Sequence, residues 1–336
     1  MLVNYKMEGK LKTINKTLDL ELYIQNYDKQ MFLPIVKDDI VWETFRKDSP
    51  SKLTFTVIKD KNGLSFNEGS LVIFKYKQKK IFHGFVFDKS RYSDHHIKVV
   101  AYDQMRYLKN KHTYIYENKT ASELVKMIAS DFGLVTGEIQ DTGYKISSRI
   151  EDNTTLIDMI QFAISETYLN TGKLFTLYDD AGKLSLVDLN TLKINDIAIN
   201  GNATQDFDYR TTIDNNVYNK IVLYQDDEDK NRYFYMKQDD FNVSRWGILQ
   251  LTEKLNEGEN PTNKVKVMLD LYNRTNRLLT IKDTLGDIRL RAGATVYCKF
   301  DLGDLILDKL MVVEHATHKF SNSQYFADLL VSGFLY

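Results

Sequence analysis

The sequence predicts an α+β fold that is mainly β: two β-rich regions, the first a small antiparallel barrel or sandwich, with a compact α+β unit lying between them as an insertion. Three observations carry this. Short runs rich in β-branched and aromatic residues recur at close spacing before about residue 112 and again after about residue 201. Between them, at 113–200, two stretches switch to the helical period and open on capping signals. Only three prolines occur in 336 residues and no low-complexity linker separates the parts, so short connections must join the units.

In order along the chain, residues 18–24 alternate, with Leu18, Leu20, Leu22 and Ile24 on one face, as a half-buried strand does. Residues 40–45 read as a second strand. Leu53, Phe55 and Val57 face inward from a third, and Lys61-Asn62-Gly63 then supplies the positive φ of a tight turn. Runs at 71–76, 81–87 and 97–102 form a meander. After it the period changes. Asp103 is placed to cap a short helix at 104–108, and Thr120 with Glu123 makes a capping box for a helix that Gly133 ends. Thr155, with Asp158 three residues on, opens a helix at 156–169 that is apolar nearly all round and must be packed on most of its surface. A hairpin follows, 174–178 and 184–187, turning at 179–182.

From 201 the β character returns. Runs at 217–224 and 233–236 flank the acidic tip Asp226-Asp227-Glu228-Asp229, and Asn260-Pro261 starts a helix with Val265, Met268, Leu269 and Tyr272 on one face. Strands are then expected at 278–281, 288–292, 296–300, 310–313 and 325–331. The closing "SGFLY" suggests a last strand tied into a sheet. A second small barrel is the simplest closure, since closing a sheet removes its exposed edges. No alignable repeat links the two β regions.

Composition excludes more than it assigns. Forty-five basic against 46 acidic side chains give a net charge of -1, which offers no global field for a nucleic-acid backbone or an anionic membrane. The single cysteine, Cys298, shares a strand face with Val296 and Phe300 and reads as a small buried hydrophobe. Residues 1–13 have no apolar core, so no secretory signal is expected, and no stretch approaches a membrane span. His315 and His318 lie on a strand, where positions three apart diverge; His95-His96 diverge likewise, and His83 reads as a hydrogen-bonded core histidine. The acidic tip lacks the glycine and glutamate of an EF-hand loop, and no phosphate loop, HExxH or Gly-x-Ser-x-Gly is present. Neither a cofactor nor a metal is expected, and the protein reads as a non-enzyme. What is abundant is aromatic surface: 21 tyrosines and 18 phenylalanines. Tyr233, Phe234 and Tyr235 put aromatics on both faces of a hairpin arm, and Arg289 and Arg291 project to one side of an expected strand. These five are the candidate subunit-interface residues.

Several stretches carry a family resemblance: "WETFRKDSPSKLTFTVIKD", "IFHGFVFDKS", "VVAYDQMRYLKNK", "NKTASELVKMIASDFGL", "GDIRLRAGATV" and "MVVEHATHKF". In this order they resemble the tail hub proteins of contractile bacteriophages, specifically the XkdQ/YqbQ-like hubs of prophage and phage-tail-like particles. The resemblance implies two tail-tube-like barrels, the first made from 1–112 plus about 201–236 and the second from 237–336, with 113–200 inserted. It implies a homotrimeric adaptor between a sixfold tail tube protein and a threefold central spike protein, made in a bacterial cytoplasm and ending in the baseplate of the particle beside other baseplate proteins. Sequence-specific nucleic-acid binding and membrane anchoring are not implied. A carbohydrate- or receptor-binding tail protein, or a cell-wall hydrolase, are the alternatives; the first predicts an exposed aromatic groove, the second paired carboxylates in a cleft.

Overall fold

The computed structural model describes residues 18–59, 64–93, 95–226, 231–255, 259–321 and 324–333. The expected turn at 61–63, the acidic tip beyond Asp226, residues 1–13 and the last three residues lie outside them. The protein is mostly β, with mainly antiparallel pairing.

The first meander forms as its alternation dictates. Leu20–Gln25, Ile40–Phe45 and Lys52–Ile58 each bury every second residue, and Leu71–Tyr76, Lys79–Arg91 and His96–Tyr102 complete the set. Phe55, Phe74 and Phe82 lie at the centre of its core. Gly84 sits where strands press together: a Cβ there would fall against the Tyr102 carbonyl oxygen and the Phe82 ring. Gly84→Ala is therefore expected to cost at least about 2 kcal/mol in a denaturant melt, because overpacking against backbone cannot relax by a rotamer change.

Strand pairing gives one open 13-stranded sheet running through both β regions. The expected pair of separately closed barrels is not what the ladders make. The reason is the strand Ile306–Phe320, 15 residues long and too long to serve one region. Along one edge its first half pairs with Thr295–Asp301 and its second half with Ile40–Phe45; Tyr325–Ser332 takes the other edge. Phe320 and Tyr325 consequently belong to the core of the first meander, while Val296, Cys298, Phe300 and Val313 build a separate core for the C-terminal half. Cys298 is fully buried, and burial pushes its thiol up to about 12, so it packs as the sequence suggests. Residues 286–294, expected to hold a strand, turn instead: Gly293 is in the left-handed region, and Leu290 and Ala292 are buried from a non-repeating backbone.

The strands near 203–236 divide between two sheets. Asp206–Thr212 joins Asn276–Leu285, and Lys220–Asp226 lies between Arg232–Gln238 and Gln250–Lys254 in a small sheet of its own. A helix written α4 below, Pro261–Tyr272, covers that sheet with Val265, Met268 and Leu269 over Ile221 and Leu223. The other helices are α1 (Ala121–Asp131), α2 (Leu156–Thr171) and α3 (Asp240–Trp246). The Thr120–Glu123 capping box is made in full, Thr155 accepts from the Asp158 amide, and Asp239 caps α3. In the 113–200 stretch, α1 and α2 pack on the hairpin Phe175–Asp179 and Leu184–Asp188 and on a two-stranded ribbon, Lys111–Thr120 with Lys145–Thr155. Among the described residues no helix is long and apolar enough to cross a membrane.

Candidate functional site

The histidines are dispersed, and the buried carboxylates that do gather, Asp103 with Asp179 and Glu166 with Glu259 around Lys264, have structural partners. His315 and His318 point to opposite faces: His315 stacks on Phe45, His318 on Trp42, and those two rings are themselves three apart on one strand. His318 is buried, its Nδ1 2.8 Å from the Tyr325 hydroxyl, and burial holds its imidazole down to about 3. His83 departs from expectation. It is half-buried on the outer face of the meander, in line with Phe85 and Phe87 and against the 179–182 turn, and burial lowers its pKa. The buried residues of its strand are Ile81, Phe82, Gly84 and Val86, so beyond Ile81 the buried face is one position out of phase with the expected one.

One pair of buried carboxylates, Asp103 and Asp179, meets where the meander, the 174–187 hairpin and the 286–294 turns converge. Both are pushed up, first by burial, Asp103 to about 8. Their oxygens are occupied. Asp103 accepts from the amides of Ser51 and Met105 at 3.0 Å, and Asp179 from Gln104 Nε2 and the Gly182 amide. Such a pair ties elements together and presents no free oxygen to a substrate. Asp226, at the base of the acidic tip, is gripped by Arg232 through two hydrogen bonds of 2.7 and 3.2 Å. Among the described residues no group of three His, Cys, Asp or Glu stands as a metal site.

The five residues proposed for an interface divide. Tyr233 and Phe234 are 53% and 57% exposed on Arg232–Gln238, an edge strand, while Tyr235 turns into the core beneath α4. Arg289 is exposed but held in two carboxylate pairs, to Asp287 at 2.9 Å and Asp196 at 2.8 Å. Arg291 does not share its face. Its guanidinium lies 4.0 Å over the Tyr178 ring and donates to the Asp179 carbonyl at 3.1 Å, so it staples the 286–294 turns to the hairpin. A turning backbone separates the two arginines where a strand would have aligned them.

Exposed apolar residues that sequence reasoning missed lie beside the aromatic arm: Met236, Phe241 on α3, and Ile248. A second set is the cross-strand pair Ile115 and Ile150, 75% and 68% exposed on the outer face of the two-stranded ribbon. Their one available signal was position. Tyr116, next to Ile115, is buried, so the ribbon alternates with an apolar residue on the wet side.

Comparisons with known proteins give one consistent result. Residues 40–332 match the model of the YQBQ-like family. The chain is 29% identical over 303 residues to the uncharacterized protein YqbQ of Bacillus subtilis (strain 168), covering 87% of this chain and 90% of that one. It is 28% identical over 305 residues to the phage-like element PBSX protein XkdQ of the same strain, covering 88% and 91%. Among solved structures, the prophage MuSo2 43 kDa tail protein of Shewanella oneidensis superposes with a TM-score of 0.66 at 13% identity, over 93% of this chain and 98% of that one. The E. coli c3393 protein, a type VI secretion system component with structural similarity to bacteriophage T4 tail proteins gp27 and gp5, gives 0.56 at 11%, over 94% and 77%.

Proposed function

Because the chain belongs to the YQBQ-like family, we propose that it is the structural hub of a contractile, phage-like tail baseplate, working as a trimer between a sixfold tail tube and a threefold central spike. The observation that carries this is the fold: nearly the whole chain superposes on a prophage tail protein and on a secretion-system component likened to T4 gp27 and gp5. Two β regions per chain and three chains give six similar units in a ring, while the threefold contacts stay available to the spike. Such a ring needs heterologous interfaces whose rotation closes. The open sheet suits it, because its end strands, Met31–Phe32 and Asp206–Thr212, have an edge to offer a neighbour. In this reading the two β regions contribute to the tube wall as parts of one open sheet, and 113–200 is a domain inserted between them. The partners are the tube protein, the spike protein and other baseplate proteins, and the place of action is the particle. A non-enzymatic role is part of this reading; what supports it is the likeness to phage tail proteins.

Tyr233 and Phe234 are the interface residues this account retains. The double variant Tyr233→Ser/Phe234→Ser removes two largely exposed rings, Phe234 giving up a tilted contact with Tyr224, so its stability should fall by no more than about 1 kcal/mol. Association of the chain, followed by light scattering across a dilution series, is expected to weaken about tenfold or more, as for aromatic anchors elsewhere. Unchanged association would remove this arm from the interface.

A further inference from the structure

Where α2, the C-terminal end of α4 and the C-terminal half of the large sheet meet, a cleft of about 470 Å³ opens. Its charge is one-sided. Among the described residues five cationic side chains line it, Arg46, Lys47, Arg210, Arg274 and Arg277, against one acid, Glu314. That acid is already engaged, by Arg46 in a two-bond pair at 2.7 and 3.0 Å and by the Ser332 hydroxyl. The cations crowd one another: Arg46 helps burial to hold the Lys47 ammonium below its usual range, and Arg277 and Arg274 act with burial in the same way on Lys309, whose Nζ lies next to Gly333 at the cleft wall. A chain whose overall charge is -1 has thus gathered a local positive excess in a concave site. The uncharged part of the wall is mixed: Tyr168 and Leu169 from α2, Phe175 from the hairpin and Leu278 from the sheet give an apolar and aromatic side, and Gln161, Asn215 and Asn216 are among the polar residues beside it.

We propose that this cleft is a docking site for an acidic segment of a partner protein, a peptide that sets carboxylates against Arg210, Arg274 and Arg277 and lays an apolar side chain on the Tyr168 wall. Guanidinium groups match carboxylates in a two-bond fork, and a low-dielectric wall focuses their field. A nucleic-acid backbone fits less well. It needs a basic track along an open surface, whereas this site is walled by Leu169, Leu174 and Leu278 and the whole molecule exerts no long-range attraction on phosphate. Because the lining comes from three separately cored parts of the chain, an occupant would also clamp them together. The inference stands on the cleft alone and is independent of the trimer proposed above.

The test uses the full chain and a short fluorescent peptide of glutamate, leucine and glycine, with its glutamine counterpart and a single-stranded oligonucleotide as controls. The acidic peptide is expected to bind with an affinity that falls as salt rises, and about tenfold more tightly than the glutamine form. Arg274→Ala/Arg277→Ala should weaken it about tenfold. Should that variant melt early, Arg210→Ala, an exposed strand position, takes its place. Equal binding of the acidic and neutral peptides, binding of neither, or capture of the oligonucleotide in place of the peptide would each overturn the proposal.

Discussion

Lys264→Met is expected to destabilise the protein by about 3–5 kcal/mol, because it removes the one cation from a buried group of carboxylates. Lys264 Nζ lies 2.9 Å from Glu259, 3.2 Å from Glu253 and 3.3 Å from Glu166, and the last of these pairs joins α4 to α2. Both ends of that link are nearly inaccessible, with side chains 6% and 5% exposed. Burial raises the Glu166 carboxyl to about 7, with the Lys264 ammonium opposing the rise. A carboxyl raised in the folded state holds a proton that the unfolded chain has lost, so the stability Glu166 contributes falls as pH rises from about 4.5 through about 7. Without Lys264 that window extends upward. The variant's defect should therefore be largest near pH 8 and shrink toward pH 5, read as midpoints of denaturant unfolding at the two pH values. Equal defects at both would mean that Lys264 contributes packing and not charge.

Trp42→Ala is expected to cost a further large amount, about 3–5 kcal/mol, by opening a cavity at the seam of the two β regions. Trp42 is 3% exposed and stacks on His318 at 4.7 Å across the one ladder that joins Ile40–Phe45 to Ile306–Phe320. The same seam has a pH signature. His318 is held neutral by burial, and Arg291 adds to the effect; its folded pKa of about 3 lies below the ordinary 6.5. The unfolded chain therefore takes up a proton that the folded one refuses. The His318 contribution to stability is complete above about pH 6.5 and declines as pH falls through the window down to about 3, by up to about 1.4 kcal/mol per pH unit and opposite in sign to that of Glu166. His318→Gln should flatten that slope in unfolding free energies measured between pH 7 and pH 4.

How much of this was legible in the chain depended on whether local pattern and burial agree. Strands such as Lys52–Ile58 alternate cleanly because one face meets the core, and the caps at Thr120, Thr155 and Asn260 act within one turn of their helices. The ribbon Lys111–Thr120 with Lys145–Thr155 escaped notice because it buries few residues and sets Ile115 on its wet face. Residues 288–292 misled in the opposite sense. Ile288, Leu290 and Ala292 alternate like a strand, yet turns bury Leu290 and Ala292 as well as a strand would, and Arg291 goes to Tyr178 instead of joining Arg289. The pairing of Ile306–Phe320 with both β regions, and the gathering of five cations from three segments into one cleft, arise only when distant stretches meet. No periodicity within a window could report them.

The central claim is a trimer, and the mass of the assembled chain tests it most directly. Light scattering of the purified chain, alone and then mixed with candidate tube and spike proteins, should give a species containing three copies, near three times 39.2 kDa for this component. A single copy throughout, or a stable dimer or hexamer that persists with both partners present, would contradict it.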